Sequence, residues 1–353
     1  MPKPFRVIDT GVRDGREQIA FDQAMIDLHK AGEIPDTIRF LQFPKTALIG
    51  RHQALSKELK LDYCAEHGIR TVRRITGGGA LYFDESQLGW ELIFHRNTLG
   101  ITSLGDLAKA ICEAAAHGIS KLGVDAQFRP RNDIEIDGRK VSGTGGFFDG
   151  DTLFYQGTLL VDMDPATMTK VINIPASKLA KRNLESGAQR VVTLKELLGA
   201  APPMDEVKAA LVEGFAEKLG VAPSWGEITE REEATTRELF ETEIGTDEFV
   251  AEIDDPDAPA DVLAASNQTP GGLVNAHVRL EGPTDARIRE VLITGDFFVT
   301  PPRVVMDLEA HLRGKEAAKV RDEVKAFFET AEVGLLTITP DHFAETIESA
   351  IAS

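Results

Sequence analysis

Arg73-Arg74-Ile75-Thr76-Gly77-Gly78-Gly79-Ala80 is the stretch of this 353-residue chain whose residue types point most directly to chemistry. Three consecutive glycines leave backbone N–H groups uncovered, so a phosphate or an acyl carbonyl can approach the main chain closely. Arginines ahead of them bring fixed charge and paired donors. A second segment, Arg131-Asn132-Asp133-Ile134-Glu135-Ile136-Asp137-Gly138-Arg139-Lys140-Val141-Ser142-Gly143-Thr144-Gly145, sets one lysine in a turn-and-strand context beside further glycines. The two together predict a site that binds an anionic nucleotide and activates a carboxylate. Plainer readings stand beside this one. A tight turn at positive φ explains two adjacent glycines, most lysines are surface residues, and an isolated Asn-Asp pair reads as a turn. Three glycines in a row after paired arginines favour the cradle.

Spacing along the chain gives the elements that must hold these segments. Ile19, Ala20, Ala24, Met25 and Leu28 recur at helical intervals and predict a helix over 14–31, ended by Gly32 and Pro35. Residues 37–43 alternate as a strand, 47–50 form a short buried one, 59–67 look helical, and 70–74 are strand-like. After the glycine turn, 80–83 and 88–94 are expected to pair as neighbours. Leu104, Leu107, Ile111, Ala115, Ile119 and Leu122 make one stripe of a helix over 103–122, and Ser103 with Asp106 resembles a capping box. Short strands follow at 126–129, 132–136, 139–144, 152–155 and 157–163, with hairpin turns at Asp137-Gly138 and Asp149-Gly150. Helices are expected at 165–172, 193–198, 205–219 and 227–243. This order predicts an α+β fold with a mixed, largely antiparallel sheet flanked by helices. Acidic residues and prolines at 254–261 read as a linker between a main domain, 1–253, and a small α+β domain, 262–353.

The formal net charge of −18 argues against a nucleic-acid or anionic-membrane partner, since both need a basic face. Cys64 and Cys112 are the only cysteines and lie far apart, so a disulfide framework and a C-x-x-C metal site are excluded. A reducing compartment, the cytoplasm, is the default. No apolar secretory segment follows the N-terminus, and no run of about 18 apolar residues predicts a membrane span. A monomer is the expected state.

The two glycine-rich segments resemble the lipoate–protein ligase family. So do Ile38-Arg39-Phe40, Gly50-Arg51-His52-Gln53 and Tyr155-Gln156-Gly157-Thr158-Leu159-Leu160-Val161, in the right order over about residues 6–200. Thr269-Pro270-Gly271-Gly272-Leu273 and Ile293-Thr294-Gly295-Asp296-Phe297-Phe298 are similar to this family's accessory domain. The resemblance implies a catalytic domain of the biotin/lipoate ligase type and a two-step reaction. Lipoate and ATP, with Mg²⁺, form lipoyl-AMP and pyrophosphate, and the acyl group then passes to a carrier lysine. It implies Lys140 as the catalytic residue, contacting the lipoyl carbonyl and the adenylate phosphate. Arg74, Thr76, Gly77, Gly78, Gly79, Ala80, Leu81, Tyr82, Phe83, Asn132, Asp133, Ser142 and Gly143 then complete the binding residues. Asp133 is the Mg²⁺ candidate, or the residue that holds Lys140.

Two departures bear on acyl preference. Phe83 stands where the family usually carries histidine, and Glu85-Ser86-Gln87-Leu88-Gly89-Trp90-Glu91 replaces a G-N-x-x-(F/Y)-(S/T) pattern. Trp90 reads first as a core aromatic and second as an acyl-tunnel wall. His52 and Gln156 are weaker site candidates with equal claims as packing residues. Carrier candidates are dehydrogenase E2 lipoyl domains, the glycine-cleavage H protein or a specialised lipoate-binding protein. The alternatives are an octanoyltransferase working through a cysteine thioester without ATP, and a non-catalytic lipoate or carrier binder. Biotin–protein ligase is a more distant relative whose G-R-G-R-x-G-type motif is missing.

Overall fold

A computed structural model describes residues 2–101, 103–130, 132–173, 191–254, 256, 261–284, 286–335 and 337–353. Most of the expected linker, residues 255 and 257–260, lies outside the described residues, as does Arg131. The chain divides into two compact units. The larger holds residues up to Leu48, Leu59–Arg73 and Leu81–Val250; the smaller holds Ile49–Glu58, Arg74–Ala80 and Ala251–Ser353.

Strands of the larger unit are β1 (Lys3–Val12), β2 (Thr37–Gln42), β3 (Thr46–Ile49), β4 (Arg70–Arg73), β5 (Leu81–Phe83), β6 (Leu88–His95), β7 (Gln127–Arg129), β8 (Asp133–Ile136), β9 (Arg139–Asp149), β10 (Thr152–Leu159) and β11 (Val221–Trp225). Eight of them form one sheet in the order β11-β1-β2-β6-β10-β9-β8-β7. β1 runs parallel to both its neighbours, and the other pairings are antiparallel, so the sheet is mixed as expected. Two strands predicted at 152–155 and 157–163 are the single β10, and β9 runs on to Asp149. The extra length of β9, residues 145–149, pairs with Thr152–Gln156 of β10.

The expected pairing of 80–83 with 88–94 does not occur. β6 is interior to the large sheet, with β2 on one side and β10 on the other, so it has no free edge for β5. β5 instead pairs with β3 in a separate three-stranded sheet, Thr46 opposite Phe83. The turn between β5 and β6 is closed by the Asp84 side chain, which accepts from Ser86 N at 3.0 Å.

Helices Leu104–Ser120 and Met204–Leu219 bury one face of the sheet, with Phe94, Leu107, Ile111, Leu211 and Phe215 in the core between. Ser103 caps the first of these helices by accepting from Asp106 N, as its spacing predicted. Trp90 is fully buried, packs 5.4 Å from Phe215 and lies over Gly157. It is a core aromatic. The opposite face meets helix Gly15–Lys30 through a buried polar cluster. Arg39 Nη1 donates to Asp22 Oδ1 at 2.5 Å and to Glu91 Oε2 at 2.8 Å. Burial, with Glu91 alongside, pushes the Asp22 carboxyl well above its ordinary range, and burial raises Glu91 as well.

In the smaller unit β12 (Leu263–Thr269), β13 (Gly272–Glu281) and β14 (Arg287–Gly295) make an antiparallel meander. β15 (Val299–Thr300) pairs with β16 (Gly334–Leu335). Helices Val304–Leu312, Val320–Thr330 and Pro340–Ile351 cover the meander over a core that includes Val274, Ile293, Phe297, Leu308 and Phe343. Among the described residues no helix is long and apolar enough to cross a membrane.

Candidate functional site

The turn Asp137-Gly138 sets the geometry around Lys140. Both residues are left-handed, φ 51° and 75°, the conformation a two-residue hairpin needs, and Asp tolerates it better than most side chains. Lys140 follows as the second residue of β9, its main chain pinned when its carbonyl accepts from Val192 N at 2.9 Å. Its side chain crosses Gly143, where a β-carbon would lie 2.4 Å from Nζ, and ends 2.8 Å from Asp133 Oδ1. Gly143 is therefore a lane: any side chain there would stand where the ammonium now sits. The pair is partly open, the side chains 27% and 19% exposed. Gly143 N donates to Thr158 Oγ1 at 3.1 Å, and Ser142 Oγ is buried with no hydrogen-bond partner among the described residues.

Asn132 and Asp133 are placed by the same two strands. Asp133 pairs with Gly143 across β8 and β9. Asn132, one residue earlier, is tied to Thr144, whose hydroxyl reaches Tyr155 and Cys112 beneath the sheet. Thr144 and Tyr155 lie within the segments that carry the family resemblance, but neither was given a role from the sequence. The signal that was available is a polar group on the inward face of each element: Thr144 and Tyr155 on neighbouring strands and Cys112 on the helix Leu104–Ser120. Gln156 faces the opposite side of β10, between Glu91 and Gly145 in the register.

Both cysteines are buried, Cys64 at 1% and Cys112 at 0% exposure. Burial raises both thiols, Cys112 to about 11.

Glycine loop residues Arg74–Ala80 belong to the smaller unit, and there the bare backbone meets the chain itself. A β-carbon on Gly77 would lie 2.3 Å from the Phe297 carbonyl oxygen, and one on Gly78 would lie 2.7 Å from Phe298 Cζ. Gly78 has φ 95°, and its N–H points to Phe297 O at 3.4 Å. Arg74 is buried and turns inward, its Nη2 donating to the carbonyls of Gly77 at 3.2 Å and Gly79 at 2.9 Å. Thr76 is buried, its carbonyl accepting from Arg51 N at 2.8 Å. His52 stacks on Phe297 with ring centroids 5.2 Å apart. Arg73, in the larger unit, is buried and donates to the carbonyls of Phe249 and Val250.

Leu81, Tyr82 and Phe83 form β5. Phe83 packs on Phe43 with centroids 4.9 Å apart, and burial, with Asp84 beside it, pushes the Tyr82 phenol up to about 12. For Mg²⁺, no group of three or more candidate ligand side chains occurs among the described residues, and one oxygen of Asp133 already holds Lys140. The residues present do not build a magnesium cage.

With this geometry in hand, comparison with known proteins is informative. The family model for the lipoyl protein ligase A/B catalytic domain matches residues 14–216. The chain belongs to this family. It is 29% identical over 244 residues to lipoate-protein ligase A subunit 1 of Thermoplasma acidophilum, covering 66% of this chain and 91% of that one. It is 28% identical over 260 residues to octanoyltransferase LipM of Kyrpidia tusciae, covering 67% and 94%. Among solved structures, a lipoate-protein ligase A bound with ATP aligns at TM-score 0.61 and 26% identity, covering 71% of this chain and 99% of that one. Family membership makes the chain an enzyme of the lipoate ligase and transferase group, and its mixed sheet flanked by helices matches those structures.

Proposed function

We propose that this chain is an ATP-dependent lipoate–protein ligase. Lipoate oxygen attacks the α-phosphorus of ATP, pyrophosphate leaves, and the resulting lipoyl-AMP is attacked at its acyl carbon by a carrier lysine amine, releasing AMP. An unactivated carboxylate is a poor electrophile, and adenylation supplies its leaving group. The observation that carries the reading is the contrast between one amine and two thiols. Lys140 presents a partly open ammonium held by Asp133, whereas Cys64 and Cys112 are buried. Transfer through a cysteine thioester needs a thiolate that substrate can reach, and burial works against both requirements.

In this reading the Lys140 ammonium neutralises the oxygens that gain charge at the phosphate and at the acyl carbonyl. Asp133 keeps the ammonium aimed. Within its own unit Arg74 acts on the glycine loop by gripping two of its carbonyls. Mg²⁺ is carried by the phosphates of ATP rather than by a cage of side chains. The carrier is a lipoyl domain of an E2, an H protein or a lipoate-binding protein that presents a lysine.

The octanoyltransferase reading rests on LipM relatives such as the one from Kyrpidia tusciae. Lipoate-dependent exchange of labelled pyrophosphate into ATP separates the two. A ligase exchanges and loses exchange in Lys140→Ala, and its carrier gains a lipoyl mass. Absence of exchange, with octanoyl transfer from one carrier to another, overturns the ligase reading.

A further inference from the structure

We infer that Thr144 is a positioning residue for Lys140, acting through Asn132 and Asp133; the inference deepens the function proposed above and rests on it only for its kinetic arm. Asn132 and Thr144 share three hydrogen bonds. Thr144 N donates to Asn132 O at 2.8 Å, Thr144 Oγ1 donates to the same oxygen at 3.1 Å, and Asn132 Nδ2 donates to Thr144 O at 2.7 Å. Asn132 immediately precedes Asp133, which receives the Lys140 ammonium. Asp133 pairs with Gly143 and Ile134 with Ser142, and the β8–β9 ladder shifts register just beyond them, between Ile134 and Glu135. The three bonds of the Asn132–Thr144 rung hold the strand on the other side of Asp133.

The Thr144 hydroxyl is itself held from below. Tyr155 OH lies 2.7 Å from Thr144 Oγ1, and Cys112 Sγ lies 3.2 Å from Thr144 Oγ1 and 3.3 Å from Tyr155 OH. A hydroxyl has one proton to give, and that fixes the direction of the chain. Thr144 gives its proton to the Asn132 carbonyl, so it must receive one from Tyr155, and the Cys112 thiol donates into this pair. Neutral groups are required throughout, and burial keeps both the phenol and the thiol protonated. Cys112 ends a line of donors that points at Asn132.

The experiment compares Thr144→Val, an isosteric change that removes the hydroxyl, with Thr144→Ser, which keeps it. Two readouts are used. One needs no substrate: the rate at which the Lys140 amine is acetylated by acetic anhydride, read by peptide mass against the other lysines. The other is lipoate-dependent pyrophosphate exchange. Thr144→Val is expected to speed Lys140 acetylation by about threefold, the scale of a partly open ion pair. It should lower kcat for exchange about tenfold with little change in KM. Thr144→Ser restores both to within about twofold of the parent, which a bulk packing role would not predict.

A folded Thr144→Val with parent-like Lys140 acetylation overturns the inference, whatever the enzyme's activity. Altered acetylation in a parent protein that shows no exchange upholds the positioning and removes the ligase reading instead. If Thr144→Val does not fold, Tyr155→Phe removes the donor to Thr144 and is judged by the same acetylation rate, an unchanged rate again overturning the inference.

Discussion

Gly77 lies so close to Phe297 that a β-carbon on it would stand 2.3 Å from that residue's carbonyl oxygen. The contact gives the triple glycine a structural reason of its own. Gly77→Ala must push main chain aside, because a carbonyl cannot swing away as a side chain does. It is expected to cost about 1–3 kcal/mol of stability, read as a lower midpoint in urea unfolding. Gly105→Ala is the control. It lies in the first turn of a helix with only Ser103 Oγ nearby, at 3.7 Å, and should be neutral or slightly stabilising. Equal midpoints for the two variants would show that the Phe297 contact constrains nothing.

Gly143→Ala makes the opposite prediction. Its β-carbon meets the end of a flexible lysine, which can move out of the way. Stability should change by less than about 1 kcal/mol, since a partly open ion pair contributes little. Pyrophosphate exchange should fall at least about tenfold, because the displaced amine no longer reaches Asp133. Full exchange activity in a protein of unchanged stability would mean that the lane over Gly143 is not needed.

Glu309 gives a pH dependence. Burial raises its carboxyl to about 7, against the opposing N–H of Ile293, which donates to Oε1 at 2.6 Å. The folded state therefore holds the proton more tightly than the unfolded state. Stability is unaffected below the ordinary carboxyl range, and it falls as pH rises from about 4.5 to about 7, by up to about 3 kcal/mol. Glu309→Gln keeps an acceptor for Ile293 and never ionises, so its unfolding midpoint should lose that slope. An identical slope in the two proteins would place the titration elsewhere.

Arg39→Met tests the buried cluster. It leaves Asp22 and Glu91 facing each other in the core without their guanidinium, both essentially unexposed. A loss of about 3–5 kcal/mol is expected, read by thermal unfolding. A shift below about 1 kcal/mol would show that the two carboxyls stay neutral without help.

Much of this was legible in the sequence because the signals were local. A stripe of Leu and Ile every third or fourth residue marked the helix over Leu104–Ser120, and Asp137-Gly138 marked the hairpin that leads into Lys140. Pairing of β5 was not legible, since which edge a strand finds depends on what already occupies β6. Opening strand β1 was not anticipated, nor was the closing helix Pro340–Ile351, because neither touches a motif. In the site, a lysine set in a hairpin among glycines drew attention to Lys140, whereas Asp133 and Gly143 were named only through the family resemblance. The inward turn of Arg74 was not legible, because the carbonyls it grips are main-chain groups that every residue carries. The buried ion cluster left a trace that went unread: Arg39 and Glu91 interrupt the apolar runs Ile38–Leu41 and Trp90–Ile93.

Both units bring together segments far apart in the sequence, and this governs how the molecule can be made. β1 is made long before its outer neighbour β11, with Lys3 opposite Val221. Ile49–Glu58 and Arg74–Ala80 likewise wait for Ala251–Ser353. During translation a sheet edge and a glycine turn are thus uncovered until late in the chain, the condition under which nascent polypeptides are captured by chaperones or by one another. Slowing elongation between Val12 and Val221 should lower the soluble yield, whereas slowing it within Lys3–Val12 should not.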